Sequence, residues 1–97
     1  MTAYIVATLD VTDPAKFARY RELVVPMLAE FGGLTVVNTE EITVREGSPR
    51  RRRLIVVRFP DAASANAFLD ADHYQPLYAL RREASEGEVV IVDACAI

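Results

Sequence analysis

The sequence predicts an α+β fold in which strands and helices follow the order β-α-β-β-α-β. Three observations predict it. Short apolar runs rich in β-branched residues recur at 3–9, 34–37, 54–59 and 88–93, each too short for a helix. Two stretches with apolar residues three and four apart separate the first run from the second and the third from the fourth. An aspartate that can cap a helix opens each of those stretches. With 97 residues the chain holds one core, so residues 1–97 are expected to form a single domain.

The first strand is Ala3-Tyr4-Ile5-Val6-Ala7-Thr8-Leu9. Asp13 then stands as an N-cap, with Pro14 at the first helical position, where its missing N–H costs nothing. Phe17, Tyr20, Val24, Met27, Leu28 and Phe31 form one stripe along the helix, and Gly32-Gly33 stops it. Pro26 removes the bond to the Glu22 carbonyl, so a kink is expected there. Extended chain resumes at Leu34–Val37 and again at Ile42–Val44, with a bulge or bend expected around Thr39-Glu40-Glu41. Gly47-Ser48-Pro49 signals a turn, and Leu54–Phe59 returns as the second arm of a hairpin.

Asp61 caps a second helix running to about Leu69. Asp70-Ala71 breaks it, and Asp72 with Gln75 makes a capping-box pattern for a further helical piece carrying Leu77, Tyr78, Leu80 and Arg81. Glu86-Gly87 is expected to end that piece and Glu88–Asp93 to be the last strand. Right-handed crossovers leave the ferredoxin-like arrangement, an antiparallel sheet with helices on one face, as the topology this order favours.

Two helices cover one sheet face, yet these strands are apolar on both. Val89 and Ile91 oppose Val90 and Val92, and Leu54 and Val56 oppose Ile55, Val57 and Phe59. A wet face would alternate apolar with polar. A homodimer through the open sheet faces is therefore expected, with Cys95-Ala96-Ile97 as an apolar tail that packs on the partner.

Composition excludes several classes. One cysteine and one histidine rule out a disulfide framework and a multi-histidine metal site within one chain. A formal net charge of −3 argues against a general nucleic-acid binder. No segment reaches the roughly 18 apolar residues of a membrane span, and the start has no basic signal region. A cytoplasmic protein with no membrane partner is expected.

His73 is the one side chain that titrates near neutrality and is the first candidate base; the plainer reading is a surface histidine at a helix start. Tyr20, Tyr74 and Tyr78 can bring hydroxyls to a pocket between helices and sheet, or serve as core residues with one polar tip. Arg81 can hold a carboxylate bidentately, or complement a helix C-terminus. Arg58 either reaches solvent or pairs with a buried carboxylate. Arg50-Arg51-Arg52-Arg53 reads as an anion or nucleic-acid site, or as an ion-paired strand end that discourages edge pairing. No aromatic interrupts the run to stack a base. Cys95 has no basic neighbour in sequence and is expected to be inert.

An ordered set of short pieces resembles the domain-of-unknown-function family thirteen-thirty, within the dimeric α/β-barrel superfamily. The pieces are Val11-Thr12-Asp13-Pro14, Tyr20-Arg21, Gly32-Gly33, Glu46-Gly47, Phe59-Pro60, Ala65, Tyr74-Gln75, Leu77 and Ala79-Leu80-Arg81, spread over about residues 3–93. The chain departs from the family pattern at Thr39-Glu40, Ser48-Pro49, Leu69 and Ala71-Asp72, and His73 stands where relatives more often carry an acid. The resemblance implies a ferredoxin-like protomer that pairs sheet to sheet into a barrel, and carries Tyr20, Glu46, Tyr74 and Arg81 over as matching positions. It implies no established reaction.

The expectation is a homodimer whose protomers each bind a small organic molecule between sheet and helices. Tyr20 and Tyr74 would position it, Arg81 would pair with a carboxylate or enolate, and Glu46 or His73 would act as base. Any reaction would run without a cofactor or metal, as a monooxygenase- or isomerase-like step. The alternative is a non-catalytic binding or accessory module, for which the thin set of titratable groups argues.

Overall fold

The structure, a computed structural model, describes residues 2–94 of the chain. Strand β1 (Ala3–Val11) lies inside the sheet, and its odd-numbered side chains turn toward the helices. Ala3, Ile5, Ala7 and Leu9 are buried, whereas Tyr4, Val6 and Thr8 on the other face are only half-buried. That alternation is the strand period of two acting on one covered face and one open face. With β2 (Leu34–Thr39), β3 (Arg53–Phe59) and β4 (Ser85–Asp93), the sheet has the order β2-β3-β1-β4, and every neighbouring pair is antiparallel. This is the predicted ferredoxin-like α+β fold.

Helix α1 spans Pro14–Glu30, and the Asp13 carboxylate accepts from the Lys16 N–H at 3.1 Å. Such a cap is worth about 1 kcal/mol. The helix runs on through Pro26, because Pro26 and Glu22 are both exposed and water can take the carbonyl the ring leaves free. Gly32, at φ 80°, ends the segment. Helix α2 (Ala62–Asp70) is capped by Asp61, whose carboxylate accepts from the Ser64 N–H at 2.7 Å.

A 3-10 turn (Asp72–Tyr74) leads into α3 (Gln75–Ala84). The expected capping box does not form there, since no side-chain bond caps the turn. The Gln75 amide instead donates back to the Leu69 and Ala71 carbonyls, at 3.1 and 3.0 Å, closing the end of α2. Buried Phe17, Tyr20, Val24 and Leu28 of α1, with Phe68 and Tyr74, pack on Ile5, Leu9, Val57 and Phe59 of the sheet.

Two local expectations need correction. Ile42–Val44 is not a strand, although the chain does bend at Glu40 as expected, and β2 carries a further irregularity between Thr35 and Val37. Strand β3 begins only at Arg53, opposite the end of β2, so residues 40–52 have no strand to pair with and Ile42 and Val44 stay exposed. Gly87, expected to end a helix, lies inside β4, which starts directly after α3. It stands opposite Leu9, and a Cβ there would collide with the Thr8 carbonyl oxygen.

The open face is apolar, as the two-faced strands predict. Val56, Val6 and Val90 lie side by side across β3, β1 and β4, and Tyr4 stands beside Val92. Leu34, Val90 and Val92 are 53%, 50% and 44% exposed. Arg58 lies on this face between Tyr4 and Leu34 and is exposed, with no ion-pair partner among the described residues. The Cys95–Ile97 tail lies outside the described residues.

Candidate functional site

A cavity of about 280 Å³ lies between the helices and the covered face of the sheet. Its floor is Ile5, Ala7 and Leu9 of β1 with Ile55 and Val57 of β3. Its roof is α1, which turns Tyr20, Val24 and Leu28 inward because they share the buried stripe. Phe68 and Tyr74 close one side. The volume is just below the roughly 300–1,000 Å³ typical of ligand sites.

The polar groups in this wall are few. Tyr20 and Tyr74 face each other across the gap between α1 and the 3-10 turn, with hydroxyl oxygens 3.0 Å apart. Both side chains are buried. Two hydroxyls carry two protons, and their mutual bond uses one, so the pair has one donor left over. Burial first, then the neighbouring Tyr74 hydroxyl, push the Tyr20 hydroxyl far above the ordinary tyrosine value, and positive Arg81 opposes them. Tyr20 therefore stays protonated across the neutral range, and either hydroxyl can donate to the other. Arg81 is half-buried, lines the cavity, and has its guanidinium 5.3 Å from the Tyr78 ring centre. Among the described residues it has no carboxylate partner within 4.0 Å.

The structure thus gathers Tyr20, Tyr74 and Arg81, from three separate elements, into one wall. It does not bring the two expected bases there. His73, next to Tyr74 in sequence, points the other way: its Nε2 is 2.7 Å from a Glu30 carboxylate oxygen and its ring stacks on Phe31 at 5.8 Å. One residue of rotation in a 3-10 turn is about 120°, enough to send neighbours to opposite sides. Glu46 is exposed in the 40–52 segment, which has no strand to hold it over the cavity. Tyr78 is exposed and its hydroxyl accepts from Arg82 at 2.8 Å.

Sequence reasoning missed Arg21 and Asn38, which also line the cavity. Arg21 had a signal, since it neighbours Tyr20 and sits a helical turn before Val24 and Val25. Asn38 had none, because the bulge in β2 decides which face it takes. No aspartate, glutamate or histidine lines the cavity, and no three such side chains or cysteines cluster as metal ligands among the described residues. Nor, among those residues, is any helix long and apolar enough to cross a membrane.

The arginine run divides. Arg51 reaches across the end of the open face to Asp10 at 3.1 Å, Glu88 at 3.3 Å and Glu86 at 3.9 Å. The Arg51 guanidinium and the Arg52 N–H together hold the Asp10 carboxyl below the usual range. Arg53 donates to Asn38 at 2.7 Å and Glu40 at 3.3 Å, over the Phe17 ring. Both are ion-paired, as the plainer reading expects, Arg51 to Asp10 of β1 and to Glu86 and Glu88 of β4, and Arg53 to Glu40.

A ferredoxin-like α+β protomer, with an apolar cavity under its helices and an apolar open sheet face, is the class the fold and site define. Residues 2–95 match the family model described as "Domain of unknown function (DUF1330)", and the chain belongs to that family. No curated protein matches the chain. Among solved structures it is similar to a protein of unknown function from Rhodopseudomonas palustris, at 11% identity and a TM-score of 0.77, covering 99% of this chain and 84% of that one. It is also similar to SnoaB, a cofactor-independent oxygenase from Streptomyces nogalater, at 18% identity and a TM-score of 0.70, covering 99% and 95%. A dimeric ferredoxin-like protein of unknown function from Jannaschia sp. CCS1 matches at 18% identity and a TM-score of 0.68, covering 99% and 100%. At these identities the likeness concerns the fold.

Proposed function

We propose that the protein is a homodimer, paired through its open sheet faces, that binds a small and mostly apolar organic molecule in the cavity of each protomer. The observation that carries this reading is the Tyr20–Tyr74 hydroxyl pair with Arg81 in an otherwise apolar wall. The spare hydroxyl proton and the guanidinium call for an acceptor that bears negative charge or develops it: a carbonyl, a carboxylate or an enolate. The apolar floor and roof take the body of the molecule. The dimer is supported by the Val6, Val56 and Val90 patch and by the dimeric state of the Jannaschia protein.

Any chemistry at this site is of the kind in which the substrate supplies its own reactivity. Tyr20, Tyr74 and Arg81 would orient a substrate that arrives already as an enolate or phenolate and hold its negative charge, without a cofactor. The likeness to the cofactor-independent oxygenase supports that class. A second reading, a binding module without turnover, is favoured by one specific observation: no carboxylate or imidazole lines the cavity to take a proton.

Native mass spectrometry of the protein taken directly from a lysate tests the proposal. A mass near twice that of the 10.8 kDa chain, with a defined small-molecule adduct, is the expected result. A monomer overturns the paired sheet faces. A dimer whose adduct survives replacement of both Tyr20 and Tyr74 by Phe moves the ligand out of this cavity.

A further inference from the structure

A second depression, of about 750 Å³, opens beside the cavity at the end of the sheet where β1 leaves and β3 enters. Its wall holds five arginines, Arg21 and Arg50 to Arg53, against two carboxylates, Asp10 and Glu40. Both carboxylates are already engaged, Asp10 by Arg51 and Glu40 by Arg53. Arg21, Arg50 and Arg52 have no carboxylate within 4.0 Å among the described residues. Three uncompensated guanidinium groups thus share one cleft in a chain whose formal net charge is −3.

The segment that carries two of them is not loose. Asp10 accepts from the Arg51 guanidinium at 3.1 Å and from the Arg52 backbone N–H at 3.0 Å, which pins the run to β1. Arg53 is pinned in turn by Asn38 and Glu40. The paired arginines hold the backbone, and the side chains of Arg50 and Arg52 are the ones left for a ligand. The Arg52 backbone is held at the cleft, while the exposed Arg50 and Arg52 side chains are still to be ordered on binding. Phe17 and Arg21 line both the cleft and the cavity, so the two spaces adjoin.

We infer that the arginine cleft holds the oxyanion of a ligand whose apolar body occupies the adjoining cavity, with Arg21 at the junction and Arg50 and Arg52 around the charge. The ligand class is an amphipathic anion, a phosphate monoester or a carboxylate on an apolar frame. The inference rests on the cavity reading above and adds to its acceptor at Tyr20, Tyr74 and Arg81 a second polar group, an oxyanion in the cleft. A guanidinium reads such a group through two parallel N–H donors, and three of them suit a phosphate dianion better than a single carboxylate charge.

Amide chemical-shift titration of the whole 97-residue protein with octyl phosphate, octanoate and 1-octanol tests it, since the three share one tail. Octyl phosphate is expected to bind ~10-fold more tightly than 1-octanol, the factor that one charge-assisted hydrogen bond supplies. Octanoate should fall between them, and a carboxylate ligand is indicated if it equals the phosphate. Shifts should appear at Val24 in the cavity and at Arg52 in the cleft. The double variant Arg50→Ala, Arg52→Ala should bring octyl phosphate down to the 1-octanol affinity and leave 1-octanol unchanged. Inorganic phosphate should compete with octyl phosphate alone.

Equal affinities for all three compounds, or a phosphate preference that survives the double variant, overturn the inference. Failure of the cavity reading looks different. There, 1-octanol moves no cavity resonance, and Val24→Trp leaves octyl phosphate binding intact with shifts confined to the cleft. Displacement of octyl phosphate by a short RNA at lower concentration than by inorganic phosphate would assign the cleft to nucleic acid and also overturn the proposal.

Discussion

The Tyr20 and Tyr74 hydroxyl oxygens, 54 residues apart in sequence, lie 3.0 Å from each other inside the protein. Each is the other's hydrogen-bond partner, so removing one strands the other in a buried place. Tyr20→Phe and Tyr74→Phe are each expected to cost about 1–2 kcal/mol, as the surviving hydroxyl loses its partner. The double variant should cost less than the sum, because it leaves no orphan. Urea unfolding of the four proteins measures the coupling; additive losses would mean that the two hydroxyls do not interact in solution.

The same pair sets a pH dependence. Burial raises the Tyr20 hydroxyl above its ordinary 10.0, so the native protein keeps that proton after the unfolded chain has lost it. Stability is therefore expected to fall as pH rises above 10.0, with Tyr20's full contribution present below it. Tyrosinate absorbance should show a smaller native step near pH 10 than the same chain gives in urea. Equal steps would place the hydroxyl in water.

Asp10 works in the opposite range. Its carboxyl is lowered below 3.8 by Arg51 and by the Arg52 N–H. The bonded carboxylate stabilises the fold fully above that value, and the contribution is lost as pH falls through the depressed native value. Asp10→Asn should be less stable than the parent at pH 7, and the difference should shrink in acid below pH 3.8. A gap that stays constant between pH 7 and acid would exclude the Arg51 pairing as its source.

On the open face, Val90 stands opposite Val6 and is half-exposed in the single chain. Val90→Asp should leave the protomer folded, by circular dichroism, and convert the proposed dimer to monomer in sedimentation. An aspartate cannot be desolvated between two apolar sheets without a partner charge. A dimer that persists at the parent's concentration range would put the interface elsewhere.

Side chains outside the cavity should be silent in ligand binding. His73→Ala and Glu46→Ala are expected to leave 1-octanol affinity within twofold, whereas filling the space with Val24→Trp should abolish it. Strong dependence on His73 would return the imidazole to the site.

Much of the architecture was legible because local chemistry dictates it. Asp13-Pro14 and Asp61 start helices wherever they stand, and the alternation along Ala3–Leu9 assigns faces before any partner is known. The apolar second face predicted the exposed patch for the same reason. Expectations failed where a distant segment decided the outcome. Gly87 reads as a helix stop in sequence, but β1 passes so close that only glycine fits there inside a strand. Ile42–Val44 has a strand's pattern, yet β3 starts too late to pair with it. Gln75 reads as half of a capping box, and its amide turns back to the end of α2 instead.

The site divides along the same line. By itself the sequence determined the fold class, the buried stripe that turns Tyr20 inward, and the surplus of apolar strand surface. Those depend on side-chain period and on the hydrophobic effect, both properties of neighbours along the chain. Only the tertiary structure decided that Tyr74 meets Tyr20 while His73 turns outward to Glu30. It also decided that Arg51 is bound by Asp10, Glu86 and Glu88 while Arg50 and Arg52 have no carboxylate within 4.0 Å among the described residues. Those outcomes are fixed by contacts across the sheet and between helices, where hydrogen bonds and ion pairs depend on distances that no local pattern encodes.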